Sequence, residues 1–282
     1  MRIALAQLEL SAEVSENLEA VKEAIARGAA DGADLIVFPE ATMKAFNTGR
    51  LDTVAHDSSE DFAREIAEFA QTKQVSVAVG MFRPADEVER DGKTRRRVYN
   101  SLLLAWPEED GPGVEFYDKV HLFDAYGFRE SDTVAPGTSQ VVCDIPLADG
   151  SSVAIGLATC FDIRFPEQFV DLAGLGADVI VLPASWNDGH GKVQQWQTLV
   201  AARALDSTCF VAATGAARPG GAAKAGKAEG PTGVGHSMLV GPDGGVIASG
   251  GYDPQFIVAD IDLADLARVR KEIPVLEIRH GD

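Results

Sequence analysis

Three side chains could share one covalent chemistry: Glu40 after the apolar run of GADLIVFPE, Lys119 in YDKVHLF, and Cys160 closing VAIGLATC. A thiol attacks as its thiolate, a nearby ammonium favours that form, and a carboxylate can accept the proton. The same ammonium can hold the oxyanion of a tetrahedral intermediate, helped by backbone N–H groups that follow the cysteine. Each residue also has an inert reading. A buried cysteine is most often a small hydrophobe, a glutamate after a strand caps a helix or faces water, and a hairpin lysine points at solvent. Spacing alone does not bring the three together. His121 sits beside the set and offers a rival Cys–His pair.

The elements that must position these groups alternate along the chain. Residues 2–8 read as a buried strand, followed by an amphipathic helix with Leu18, Val21 and Ile25 on one face. GADLIVFPE is a β-branched run ended by Pro39, a second helix carries Phe62, Ile66 and Phe69, and residues 75–80 form another strand. Antiparallel strands follow: RVYNSLLLAW, a turn through PEEDGPG, then VEFYDKVHLF, where Tyr117, Val120 and Leu122 place Lys119 on a half-buried hairpin. The series then restarts with VAIGLATC (153–160), a helix through PEQFVDLAGLGA, the run GADVIVLPASW, a helix over 193–207 and the strand CFVAATG. Gly32–Pro39 and Gly176–Pro183 agree at six of eight positions with an offset of 144, so the chain reads as two similar half-units. Alternating helices and buried strands imply layers, helices outside and sheets inside. Glu40 and Cys160 are expected on strands in corresponding places of the two units, at the carboxyl ends where α/β sites gather.

Composition narrows the function classes. The 282 residues carry 25 Lys and Arg against 43 Asp and Glu, a formal charge of -18 that repels phosphate backbones and anionic lipid. Neither nucleic acid nor membrane is therefore an expected partner. The 3 cysteines form no Cys-x-x-Cys pair and the 5 histidines are isolated, which leaves no ligand set for a structural zinc. MRIALAQLEL lacks the features of a signal peptide, so a soluble cytoplasmic protein is expected. RPGGAAKAGKAEGPTGVG (218–235) reads as an exposed, mobile loop. Its GAAKAGKA segment approaches a phosphate-binding loop, but Ala228 removes the magnesium-binding hydroxyl and no helix pattern follows. VRKEIPVLEIRHGD is too mixed to be one helix.

Glu40 in FPEAT, Lys119 in YDKVHLF and Cys160 in TCFDIRFPE resemble the Glu-Lys-Cys triad of the nitrilase superfamily of carbon–nitrogen hydrolases. MRIALAQ, GADVIVLPASW, ARALDSTCFVAATG, GHSMLVGPDG and VRKEIPVL extend the resemblance, in order, over nearly the whole chain. It implies a four-layer α-β-β-α sandwich with two similar half-units, and a single domain over 1–282 whose tail, about 264–282, packs on a partner subunit of a homodimer or higher oligomer. It also implies Cys160 as nucleophile, Glu40 as general base, and Lys119 with the backbone N–H of Phe161 as oxyanion holders. Glu130, in FRES, matches a second, substrate-orienting glutamate; its inert reading is an exposed loop carboxylate. No metal or organic cofactor is required.

True nitrilases tend to carry Cys-Trp-Glu at the nucleophile, whereas Cys160-Phe161-Asp162 resembles the branch acting on ω-amides of 2-oxo acids, including 2-oxoglutaramate and deaminated glutathione. Such small-molecule substrates carry a carboxylate, so a cation is expected in the site. Arg164 is the candidate and Arg129 the reserve; the competing role for Arg164 is a structural pair with Asp162 or Glu167. Trp186 and Asn187 follow the strand that corresponds to the one carrying Glu40 and are candidates to line the site. N-carbamoyl amino acid hydrolases and aliphatic amidases are the enzyme alternatives. A non-catalytic binding module and a redox-sensing thiol protein are the alternatives of other classes.

Overall fold

The structure, a computed structural model, describes residues 1–90, 92–227 and 232–279. The first half-unit runs β1 (Arg2–Gln7), α1 (Val14–Ala30), β2 (Leu35–Val37), α2 (Leu51–Lys73), β3 (Ser76–Arg90), β4 (Lys93–Trp106) and β5 (Gly113–Asp118). A small hairpin, β6 (Asp124–Ala125) and β7 (Phe128–Arg129), leads to β8 (Val142–Pro146). The second unit runs β9 (Ser152–Leu157), α3 (Pro166–Gly174), β10 (Val179–Ala184), α4 (Lys192–Ser207), β11 (Phe210–Gly215), β12 (Met238–Val240) and β13 (Val246–Ser249). β14 (Gln255–Asp260), α5 (Ala264–Glu272) and α6 (Val275–Arg279) close the described chain.

Side-chain periodicity builds the layers. On α1, Val21, Ala24, Ile25 and Gly28 are buried, the spacing of one helical face. On β1, Ile3 and Leu5 point one way while Ala4 and Ala6 point the other, as a pleated strand requires. Every residue of β10 is buried, which suits a parallel strand covered on both faces. The first sheet has the order β14-β1-β2-β3-β4-β5 and the second β13-β12-β11-β10-β9-β8.

Three apolar clusters fill the spaces between layers. Val21, Ile25, Phe62 and Ile66 join α1 and α2 to Val77 and Val79 on one outer side. Leu5, Val37 and Leu102 meet Ile155, Val181 and Phe210 between the sheets. Phe169, Leu172, Trp196 and Val200 cover Ile180 and Val211 on the other outer side. The result is the four-layer α-β-β-α sandwich.

The two units match strand for strand, β1 to β5 against β9 to β13, with β14 and β8 added beside the first strand of each. That register corrects one expectation. Glu40 follows β2, the second strand of its unit, whereas Cys160 follows β9, the first strand of its own. Trp186 and Asn187 do follow β10, the counterpart of β2. β9 also stops at Leu157, short of the cysteine.

The 218–235 loop differs from expectation at both ends, where Arg218, Gly233, Val234 and Gly235 are buried. Among its described residues, Gly220, 222–224 and 226–227 are exposed. Ala228, on which the phosphate-loop comparison turned, lies outside the described residues. The carboxyl-terminal stretch divides into two helices at Pro274, and α6 packs against α3 and α4 of its own chain. His280 to Asp282, the end of the tail expected on a partner, lie outside the described residues. Among the described residues no helix is long and apolar enough to cross a membrane.

Candidate active site

Glu40 reaches the site because β2 breaks off early. After Val37 the chain kinks through Pro39, with Ala41 in the left-handed region at φ 58° and the Thr42 hydroxyl donating to Pro39 O at 2.7 Å. β3 must let this kink pass close above it. A Cβ on Gly80 would lie 2.5 Å from Pro39 O and 2.7 Å from Glu40 Cα, so only glycine fits. Lys119 follows the last residue of β5 and is anchored by its own N–H to Asn100 O at 2.9 Å. Cys160 opens a short 3₁₀ turn, Cys160–Arg164, with φ 48°. A non-glycine residue held there stores local strain of a kind found at active sites. Phe161 comes next, in a first turn whose N–H groups have no helical acceptor.

The charged side chains converge. Glu40 Oε1 accepts from Lys119 Nζ at 3.1 Å and from Asn100 Nδ2 at 2.7 Å, while Oε2 accepts from the Ser185 N–H at 2.8 Å. Glu130 accepts from Lys119 Nζ with both oxygens, at 3.1 and 3.0 Å, and from the Phe123 N–H at 2.6 Å. Asn100 Nδ2 also reaches Glu130 at 3.2 Å, so one amide bridges the two carboxylates. Glu40, Asn100, Lys119 and Glu130 are all at most 5% exposed. Glu130 is therefore not an exposed loop carboxylate.

One ammonium shared by two carboxylates sets the electrostatics. Burial alone would lower Lys119, but Glu130, Glu40 and the neighbouring Cys160 and Asp162 outweigh it and hold the ammonium well above the ordinary lysine value. For Cys160, burial and then Glu40 push the thiol well up, against the opposing pull of Lys119. The same burial and carboxylate that raise the thiol place Glu40 where it could accept the Cys160 proton.

The remaining candidates lie around this centre. The Phe161 ring stands edge-on to Phe123 at 5.1 Å and to Phe165 at 5.6 Å. Trp186 is buried against Trp196 at 5.5 Å and donates to Lys192 O at 3.2 Å. Asn187 is exposed. Arg164 pairs with neither Asp162 nor Glu167; it donates to Gln195 Oε1 at 2.8 Å and lies over the Trp186 ring at 5.4 Å. Arg129 is exposed on β7, 3.7 Å from Asp132. His121 stacks on Phe165 at 3.6 Å, with Nδ1 3.0 Å from Asp162 Oδ1 and 2.9 Å from Gln168 Oε1. Both partners are acceptors, so Nδ1 carries the proton and is committed away from the thiol. Among the described residues no group of three or more His, Cys, Asp and Glu side chains is arranged to hold a metal ion.

Asn100 and Ser185 join the site without having been candidates in the sequence, and Asp162, a candidate partner of Arg164 there, instead accepts from Tyr117, Thr159 and His121. Asn100 had a signal, a lone amide inside the apolar run VYNSLLLAW. Ser185 had none, because it contributes its backbone.

The carbon-nitrogen hydrolase family profile matches residues 2–271. The chain is 42% identical to hydrolase Rv0480c of Mycobacterium tuberculosis over 98% of its own length and 94% of the relative's. It is 31% identical to omega-amidase NIT2 of Bos taurus, covering 100% of this chain and 95% of that protein. To deaminated glutathione amidase of Escherichia coli O157:H7 it is 29% identical, covering 99% and 97%. The solved structure of Saccharomyces cerevisiae Nit3, of the nitrilase superfamily, shares the fold with a TM-score of 0.78 at 24% identity, covering 100% of this chain and 97% of that one. The chain belongs to the carbon-nitrogen hydrolase family. It is a hydrolase of carbon–nitrogen bonds other than peptide bonds.

Proposed function

We propose that the protein hydrolyses a small, carboxylate-bearing amide to its acid and ammonia, the substrate being an ω-amide of a 2-oxo acid such as 2-oxoglutaramate or deaminated glutathione. The reaction is carried by one observation: Glu40 and Lys119 meet at 3.1 Å beside the strained Cys160 turn. The substrate class is supported by likeness to an omega-amidase and a deaminated glutathione amidase over essentially the whole chain.

In the proposed cycle Glu40 takes the Cys160 proton as sulfur bonds to the amide carbon. Lys119 Nζ and the Phe161 N–H hold the resulting oxyanion. Glu40 returns its proton to nitrogen, the C–N bond breaks, and ammonia leaves a thioester. Water, deprotonated by Glu40, adds to the thioester; the C–S bond breaks, the acid departs, and the thiol regains its proton. Glu130, clasping the ammonium with both oxygens, orients Lys119 and with it the substrate. Arg164, held among the described residues by Gln195 and the Trp186 face, turns onto the substrate carboxylate, with Trp186 and Asn187 beside it and Arg129 in reserve. The enzyme acts as one domain over 1–282, in the cytoplasm, as a homodimer or higher oligomer whose tail packs on its partner.

Ammonia release from 2-oxoglutaramate, with Cys160→Ala alongside, tests this. Turnover that vanishes in the variant is expected. Equal turnover in both proteins would contradict the role of Cys160. No turnover in either would remove this substrate class and turn the test to N-carbamoyl amino acids, which release carbon dioxide with ammonia, and to short aliphatic amides.

A further inference from the structure

Asp162 has no exposed surface and is placed two residues beyond Cys160. Its carboxylate gathers four donors from both half-units. Oδ2 accepts from the Tyr117 hydroxyl at 2.7 Å and the Thr159 N–H at 2.8 Å. Oδ1 accepts from the His121 N–H and from His121 Nδ1, each at 3.0 Å. Tyr117 and His121 flank Lys119 two residues on either side, and Thr159 immediately precedes the nucleophile. Gln168 on α3 closes the ring, donating to the Tyr117 hydroxyl at 2.9 Å and accepting from His121 Nδ1 at 2.9 Å. The Tyr117 oxygen in turn accepts from the Val120 N–H at 3.2 Å.

We propose that Asp162 is a positioning residue that clamps the segment carrying Lys119 to the turn carrying Cys160, and so fixes where the ammonium stands relative to the thiol. This rests on Glu40, Lys119 and Cys160 forming the reactive set. Every group that Asp162 holds belongs to one of the two chain segments that bear Lys119 and Cys160, and neither segment has a regular ladder across the gap between the sheets. A carboxylate suits the task because all four partners donate. An amide in its place would turn one acceptor into an NH₂ facing two donors and would break the clamp at one end while leaving volume unchanged.

A merely structural hydrogen-bonded core residue would alter stability alone, whereas a clamp alters the reactivity of Cys160. The test uses the full chain with Asp162→Asn, Tyr117→Phe and Lys119→Met. It measures kcat and KM for ammonia release, and iodoacetamide labelling of each cysteine at neutral pH by peptide mass spectrometry. Cys160 is partly exposed, while Cys209 is buried and labels only on opening of the fold. The expected result for Asp162→Asn is a kcat lower by about 10²-fold, the scale of an ångström-sized misplacement, with KM within about threefold of wild type. Cys160 labelling falls toward the Lys119→Met rate while Cys209 stays unlabelled. Tyr117→Phe, which removes one donor of four, gives a smaller loss of the same kind, about tenfold, and decides the matter should Asp162→Asn fail to fold. Wild-type kcat and Cys160 labelling in both variants would overturn the proposal, as would changes in Cys160 and Cys209 labelling that run in parallel. Turnover surviving in Cys160→Ala would instead undo the reading of the site itself, whatever Asp162 does.

Discussion

The two half-units share a strand order and a nearly identical eight-residue segment, yet what stands at their strand ends is opposite in kind. The first unit delivers charge, Glu40 after β2 and Lys119 after β5, braced by the neutral amide of Asn100 within β4. The second delivers the thiol after β9 and the Ser185 N–H after β10. The repeated segment makes the contrast sharp, because Pro39 is followed by Glu40 and its counterpart Pro183 by Ala184. β10 continues through Ala184 in register with Gly215 of β11, while β2 ends at Val37 and kinks inward. Duplication therefore carries the packing, which the apolar core dictates, and leaves residues beyond the ladder free to diverge. A site built from both units also needs them docked, and Glu40 is held across that junction by Ser185.

Substitutions on either side should separate the two contributions. Cys160→Ala, on the second unit, is expected to lower kcat by about 10⁵-fold or more in single-substrate kinetics. Lys119→Met, on the first, should lower it by about 10²- to 10³-fold, the worth of an oxyanion donor. It should also reduce unfolding stability in urea by about 3–5 kcal/mol, because two buried carboxylates lose their cation. An equal loss in both variants would mean that the charges do no more than fold the site. Asn100→Ala is expected to cost about tenfold in kcat through the lost bridge between Glu40 and Glu130, which the same assay reads.

The smallest effect concerns pH. His121 gains a hydrogen bond to Asp162, and despite the opposing cost of burial that bond, the Asp162 charge, Gln168 and Glu167 raise its folded-state value above the ordinary 6.5. A raised histidine contributes stability that is fully present below the unfolded value and is lost as pH rises through the folded one. The stability gap between wild type and His121→Gln should therefore be wider at pH 6 than at pH 9 in urea titrations. A gap that widens with pH would show that Asp162 does not hold the protonated ring.

Much of this was legible in the chain because it rests on periodicity. The helical faces of α1 and α2, the buried runs around β2 and β10, and the repeated GADxIVxP segment all report burial, which local pattern encodes directly. The strand correspondence departs from expectation because of where the repeat falls. Glu40 follows the first copy of that segment, whereas Cys160 precedes the second, so the two cannot occupy equivalent strand ends. Burial of Glu130 and the partner of Arg164 were not legible, since a charged residue in a loop carries no pattern saying what it meets. Arg164 illustrates this: both acidic neighbours in sequence are passed over for Gln195, 31 residues away. The role of Asp162 was not legible for the same reason: three of its four donors come from Tyr117 and His121, on a strand end and a turn distant in sequence.

The central claim is that a carboxylate from one unit, rather than a neighbouring imidazole, takes the proton of a thiol from the other. Ammonia release by Glu40→Gln and His121→Ala, measured side by side, tests it most directly. The expected result is a loss of about 10³-fold in Glu40→Gln, within the range for a general base, and at most about tenfold in His121→Ala. Abolished turnover in His121→Ala, with much of it surviving in Glu40→Gln, would contradict the claim and make His121 the base.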